Sequence, residues 1–218
     1  MSLEANGFEW LRGLVPKSQL AELRQTCEEL PSTRVRNLLS RSKVVRSVAH
    51  DWRRQLEEKL QTPLRAIRGI LFDKVPLANW KVPWHQDRFL AVEQKVELPG
   101  YTGWTEKDGV PHVEPPTAVL EEMIALRVHL DDCGEENGPL KIIPGSHRAG
   151  KLNADEIQLA RATEAEEVCV ASAGDSLLMR PLLLHASSAA IAPRHRRVIH
   201  LEFVTADRLP RALFQSPV

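Results

Sequence analysis

Behind Ser18, the residues Leu20, Leu23, Cys27 and Leu30 recur at helical spacing, so one apolar face runs along a segment that Pro31 ends. The spacing predicts a helix over 18–30 with Ser18 as its N-cap. A second stripe, Val45, Val48, Ala49, Trp52, Leu56 and Leu60, predicts a helix over about 43–61, with Arg53, Arg54, Glu57, Glu58 and Lys59 on its solvated face. From Pro63 the texture changes to short apolar runs separated by Pro, Gly, Asn and Asp. These predict strands over 65–73, 81–90, 124–131, 139–143, 168–171, 176–185 and 196–204, with short helices near 117–123 and 154–163. The stretch 95–116 shows no period and reads as an ordered loop or lid over a site. Helices followed by antiparallel strands predict an α+β chain, mainly β, whose sheets form a sandwich or barrel.

At 218 residues the expectation is a single domain over 1–218, a helical flank over 1–62 preceding a β core over 63–205. Lys plus Arg and Asp plus Glu number 29 each, so the net charge is zero and composition offers no electrostatic case for nucleic acid or a membrane surface. Beyond the arginines at 194–197 no basic cluster is evident along the chain. Three cysteines, Cys27, Cys133 and Cys169, far apart and in no C-x-x-C pair, argue against a disulfide framework or zinc knuckle. Glu4, Glu9, Arg12 and Lys17 interrupt the first thirty residues, and the leucines at 182–184 stop at His185, so the chain reads as soluble and cytoplasmic. Oligomeric state is not legible here.

The chemistry concentrates in Trp84-His85-Gln86-Asp87, with His185 and Arg196 far downstream. On a strand, His85 and Asp87 point to one face and Gln86 to the other. A second imidazole, from His185, would complete the two-histidine, one-carboxylate face of the non-haem Fe(II) oxygenases, which leaves the opposite positions open for an organic cosubstrate and O2. A closed four-ligand zinc site would forbid that. An H-x-D triplet alone is a weak signal.

Two further segments supply context: Asn137-Gly138-Pro139-Leu140-Lys141-Ile142-Ile143-Pro144-Gly145-Ser146-His147, and Gly174-Asp175 leading through Leu177-Leu178-Met179 to His185. With Trp84-His85-Gln86-Asp87 they occur in the order found in the phytanoyl-CoA dioxygenase family, which the chain resembles over roughly residues 70–205. The resemblance implies a double-stranded β-helix (jelly-roll, cupin-like) core and an Fe(II)- and 2-oxoglutarate-dependent dioxygenase. Such an enzyme would hydroxylate an unactivated C–H of a small metabolite, consuming O2 and releasing succinate and CO2. It also implies that His85, Asp87 and His185 hold the iron and that Arg196 anchors the cosubstrate. Because halogenating relatives lack the carboxylate, Asp87 points to hydroxylation, with desaturation, epimerisation and ring closure left open.

A buried distal carboxylate is best met by a fixed guanidinium fork. Arg194 and Arg196 share strand parity and both compete for that role, with Arg197 facing away; Arg196 is preferred for its distance from His185. Ser187 is a candidate hydroxyl partner of the same carboxylate. Trp104 either walls the substrate or cosubstrate cavity or anchors its own loop. His112, His129, His147, His195 and His200 are read as structural, and Arg127, His129 and Asp131 as facing either the interior or solvent. Lys81 reads as solvated, with a reach into the pocket mouth as the alternative. The other functional classes weighed are a β-helix protein that binds metal and 2-oxoglutarate without turnover, and a cupin-type metalloenzyme without 2-oxoglutarate.

Overall fold

A computed structural model describes residues 2–214 of the chain. In chain order its strands are β1 (Phe8–Leu11), β2 (Arg34–Val35), β3 (Leu64–Asp73), β4 (Val82–His85), β5 (Leu90–Ala91), β6 (Thr102–Lys107), β7 (Val110–Glu114), β8 (Ile124–His129), β9 (Leu140–Ile142), β10 (Glu167–Cys169), β11 (Ser176–Met179), β12 (His185–Ser187) and β13 (Arg197–Thr205). The α-helices are α1 (Leu3–Asn6), α2 (Lys17–Glu28), α3 (Leu38–Arg41), α4 (Lys43–Leu60), α5 (Thr117–Glu122) and α6 (Ala154–Thr163).

A six-stranded antiparallel sheet in the order β1-β11-β8-β13-β3-β2 faces a four-stranded sheet in the order β10-β9-β12-β4. This is a double-stranded β-helix. Alternation along the long strands assigns their two faces. Leu71, Leu126, Val128, Ile199 and Leu201 point outward into the cluster that α2 and α4 cover with Leu20, Leu23, Val45, Val48, Trp52 and Leu56. Arg68, Ile70, Phe72, Arg127, Arg196 and His200 point inward to line a cavity between the sheets.

Both long helices match their predicted stripes. In α4 the Ser42 hydroxyl accepts from the Val45 amide at 3.1 Å, and Gln61 stops the helix in the left-handed region at φ 52°. Helix α2 starts earlier than predicted: Pro16, extended at φ −67°, precedes Lys17, and Ser18 falls inside the first turn rather than capping it. The N-terminal third is also less purely helical than its stripes suggest, since β1 and β2 become the edges of the six-stranded sheet. Two- and four-residue strands are too short for a period of two to register.

Two predicted strands are each divided. The run 81–90 ends β4 at His85 and resumes as β5 in a third, three-stranded sheet. The run 176–185 leaves the large sheet at Met179, turns through a Leu183 N–H bond to the Arg180 carbonyl at 3.0 Å, and enters the small sheet at His185. Its leucines are buried throughout, so apolar continuity conceals the switch of sheet. The stretch 95–116 is corrected from loop to hairpin: β6 and β7 pair across Asp108-Gly109, both at positive φ (53° and 76°). Asp-Gly is a strong hairpin turn signal, but Gly103 and Pro111 break the alternation beside it.

The Gly174-Asp175 step has a structural explanation. Gly174 sits at φ 94°, and a Cβ there would lie 2.6 Å from the Val15 carbonyl oxygen. Asp175 accepts from the Gly13 amide at 3.0 Å, the Ser172 amide at 3.1 Å and the Arg12 guanidinium at 2.6 Å, tying β1 to β11. Burial would raise its carboxyl pKa, but Arg12 and the two amides outweigh burial and hold it below the usual range. Asp175→Ala is therefore expected to cost about 2 kcal/mol in urea unfolding, chiefly through the two amides, because Arg12 is largely solvent-screened. This contribution is complete above a pH of about 3.9 and disappears as pH falls through the lower folded value, so wild type and variant should converge in acid.

Candidate metal centre

Register brings the separated histidines together. Strand β12 pairs antiparallel with β4 so that His185 lies opposite His85, with ring centroids 4.2 Å apart. Asp87 follows β4 on a backbone fixed by its amide bond to the Pro181 carbonyl at 2.9 Å. Its Oδ1 lies 3.7 Å from His85 Nε2 and its Oδ2 3.5 Å from His185 Nε2. The outer ring nitrogens are already spoken for: His85 Nδ1 donates to the carbonyls of Pro83 (2.9 Å) and His185 (3.1 Å), and His185 Nδ1 to that of Leu183 (2.7 Å). Both Nε2 atoms thus face the carboxylate, and the backbone carbonyls behind each ring fix the orientation that metal ligation requires.

The electrostatics suit a cation. Burial presses the His185 pKa down to about 4, so its imidazole is neutral at physiological pH. Burial alone would raise Asp87, but the imidazoles around it, His85 first and then His185 and His200, favour its carboxylate and hold it well below the ordinary carboxylate value. Burial opposes protonation of His85, and Asp87 with two backbone carbonyls outweighs it, raising that pKa.

All three donor atoms lie within 4.8 Å of one another. Three ligands at about 2.1 Å and right angles stand about 3 Å apart, so the observed spacing needs only a small closure around an ion. Among the described residues one other donor group includes Asp87, namely that with His200 and Glu202. Glu202 Oε1 pairs with Arg68 and accepts from His200 Nε2 (3.2 Å), with its Oε2 buried and unpartnered, and His200 Nδ1 meets Arg127 at 3.3 Å. His200 is thereby committed to Glu202 and Arg127, and its imidazole does not close the three-ligand face.

Gln86 points away from Asp87, donating to the Gly150 (2.8 Å) and Leu182 (2.7 Å) carbonyls and accepting from the Leu152 amide at 2.8 Å. It clamps the two loops beside the ligands. The His-Asp-His face opens into a cavity of about 530 Å³. At its depth Arg196, 3% exposed, binds the Gly138 carbonyl, while its Nε is buried with no partner. Ser187 also lines the cavity, and its hydroxyl lies 3.2 Å from Lys74 Nζ. Lys74 is fully buried, and burial followed by the Arg196 charge lowers its pKa to about 7. Arg127 is lowered to about 10 by the same two causes, and its Nε is likewise unpartnered. Among the described residues no carboxylate lies within ion-pair distance of Lys74, Arg127 or Arg196. Arg127 and Arg196 are thus buried, uncompensated guanidiniums on the cavity wall, each with an orphaned Nε, and an anion entering the cavity would satisfy them.

Arg194 is exposed and outside the cavity, and Arg197 turns to the opposite face, paired with Asp131 and Glu28. Trp104 does not reach the site. It packs with Leu90, Val113 and Leu120 under the β6–β7 hairpin, its indole nitrogen buried without a partner. The pairing of β6 with β7 turns it into that cluster, so it anchors its own hairpin instead of walling the cavity. Trp80 lines the cavity, and Trp84 packs beside Ile143 and Leu184. His147 meets the Glu4 carbonyl at 3.2 Å and His195 meets Asp73 at 2.8 Å, both away from the cavity. His200 lines the cavity, and Arg127 and His129 are interior. Arg68 and Glu202 escape notice in the sequence because each stands between apolar or small neighbours in a strand, and Lys74 because it follows the end of β3. Alternation with their outward neighbours is the signal that could have found Arg68 and Glu202. The basic cluster absent from the linear sequence exists in space: Arg34, Arg36, Arg68, Lys81 and Lys107 all line the cavity.

A metal-binding double-stranded β-helix with a basic pocket is the class that fold and site define. The family model for phytanoyl-CoA dioxygenase (PhyH) matches residues 3–198, and the chain belongs to this family. Among solved structures it is similar to the non-haem α-ketoglutarate-dependent carbocyclase SnoK from nogalamycin biosynthesis, at TM-score 0.71 and 14% identity over 94% of this chain and 81% of that one. HygX from Streptomyces hygroscopicus, with nickel, 2-oxoglutarate and hygromycin B bound, aligns at TM-score 0.66 and 19% identity over 94% and 85%. EctD from S. alaskensis aligns at 0.72 and 18% over 99% and 79%. No curated protein sequence matches the chain significantly. No helix among the described residues is long and apolar enough to cross a membrane.

Proposed function

We propose that the protein is an Fe(II)- and 2-oxoglutarate-dependent dioxygenase that hydroxylates an aliphatic C–H of a small metabolite. The observation that carries this reading is the pairing of the His85–Asp87–His185 face with a pocket floor holding buried, unneutralised cations. When bound, Fe(II) with 2-oxoglutarate and O2 supplies an oxidative decarboxylation to succinate and CO2 whose oxidising power is directed at the substrate. The chain's own residues do the rest. His85, Asp87 and His185 hold the metal on one face, and the backbone carbonyls behind both histidines keep their Nε2 lone pairs inward. Arg196 and the Ser187 hydroxyl, which Lys74 supports from behind, receive the distal carboxylate of the cosubstrate, so its orientation is set before O2 arrives. Arg127, stacked toward Phe72 at 5.9 Å, presents positive charge to the inner wall. Ile70, Phe72 and Leu140 supply apolar wall that excludes water from the reacting carbon. Asp87 occupies the third ligand position, leaving no place for a halide, which favours hydroxylation. HygX, which holds a metal, 2-oxoglutarate and a small molecule together, supports the same reading.

Purified protein given Fe(II), 2-oxoglutarate and O2 is expected to form succinate in step with 2-oxoglutarate consumed, and chelation of the metal should stop it. Succinate at the protein-free background would refute this function.

A further inference from the structure

We propose that the cavity mouth is an anion subsite and that the substrate carries a phosphate-type dianion, a phosphate monoester or phosphonate, gripped by Arg34 and Lys107. This rests on the dioxygenase reading, which places the reacting carbon beside His85 and Asp87, and it names the substrate class of that site.

The cations reach the mouth from two elements that face each other. In the register of β2 against β3, Arg34 lies opposite Phe72, so Arg34 shares the cavity face while Val35 turns into the helix-covered core. The β6–β7 hairpin folds over from the other side. Its turn residue Asp108 bonds Arg36 at 3.2 Å, and its carbonyl accepts from Asn37 Nδ2 at 3.3 Å, which brings Lys107 across from β2.

Charge at this rim is unbalanced. Arg68 is neutralised by Glu202 and Arg36 by Asp108. Arg34, Lys81 and Lys107 have no acid within ion-pair distance among the described residues. Three uncompensated cations gather at one opening of a chain whose net charge is zero. Aromatic faces hold two of them without cancelling their charge: Arg34 lies 5.8 Å from the Phe72 ring and Lys107 5.1 Å from that of Phe89. Partial burial, then Arg36, lowers the Arg34 pKa; partial burial, then Arg68 and Arg36, lowers that of Lys107. The fold thus holds like charges together ahead of any ligand, and a multiply charged anion relieves more of that repulsion than a single carboxylate.

Nor is this the cosubstrate's own site. Arg127 and Arg196 serve the deep end, and a molecule the size of 2-oxoglutarate leaves most of a cavity of about 530 Å³ for the substrate.

The test titrates n-butyl phosphate, pentanoate and 1-butanol by calorimetry into protein loaded with Ni(II) and 2-oxoglutarate, at low and moderate salt. Butyl phosphate is expected to bind at least about tenfold more tightly than the other two, with an affinity that falls as salt rises. The double variant Arg34→Gln/Lys107→Gln should lose at least about tenfold for butyl phosphate and much of the salt dependence, while 2-oxoglutarate affinity, measured in the same samples, moves by less than about twofold. Equal binding of the three probes, pentanoate matching butyl phosphate, or an unaffected double variant would each overturn the proposal. Failure of 2-oxoglutarate to bind wild-type protein would instead overturn the dioxygenase reading, and the three probes run on metal-free protein would still decide the anion subsite.

Discussion

Asp87→Ala is expected to abolish succinate formation and to weaken Fe(II) binding by at least about a hundredfold, beyond the effect of losing a partner that merely orients a ligand. Asp87 is the only anion in the ligand set, and its oxygens lie 3.7 and 3.5 Å from the two Nε2 atoms. Without it, two imidazoles remain and no ligand charge offsets a divalent ion, because the nearby Glu202 carboxylate is paired with Arg68. His85→Ala should behave alike in turnover, since one imidazole and one carboxylate no longer define a face. Both side chains are partly exposed, so the variants should retain the wild-type circular dichroism and unfold cooperatively. Equilibrium metal titration and coupled succinate detection read the two effects. Wild-type turnover in either variant would dismiss the assigned ligands.

The second large effect falls on Arg196. Arg196→Ala should raise the KM for 2-oxoglutarate by about a hundredfold, roughly 3 kcal/mol, as expected when one side of a buried charge pair is removed. Arg194→Ala should leave KM unchanged, because Arg194 is exposed and outside the cavity. Arg196→Lys should rescue only in part, since an ammonium cannot reproduce the fork. A loss confined to kcat, with KM unmoved, would mean that Arg196 holds up the Gly138 turn instead of the cosubstrate.

Helices α2 and α4 were legible because each writes a 3.6-residue period over three or more turns, and their outward stripes reappear as the helix-covered core. The candidate donors were legible for a different reason: His85 and Asp87 lie two apart where β4 ends, and the segment around Gly138 marks the turn that Arg196 meets. Position within a strand was harder to read. Arg68 and His200 each sit among apolar or small neighbours, and only the pairing of β3 with β13, and of β13 with β8, shows that their side of the sheet is the inner one. Trp104 was ambiguous because a tryptophan lines a pocket and fills a core equally well, and the β6–β7 pairing decided between them. The rim cations lie on β2, β3, the approach to β4 and the hairpin, so no window of the chain contains them together.

The central claim is that three residues from two strands grip one ferrous ion and leave adjacent positions for a chelating keto acid. Anaerobic addition of 2-oxoglutarate to the Fe(II)-loaded protein tests it most directly, because bidentate chelation of ferrous iron by an α-keto acid produces a visible charge-transfer absorption. The account requires this band in wild-type protein at one iron per chain, and its loss in Asp87→Ala. Absence of the band in the wild type, or an equal band in the variant, would contradict it.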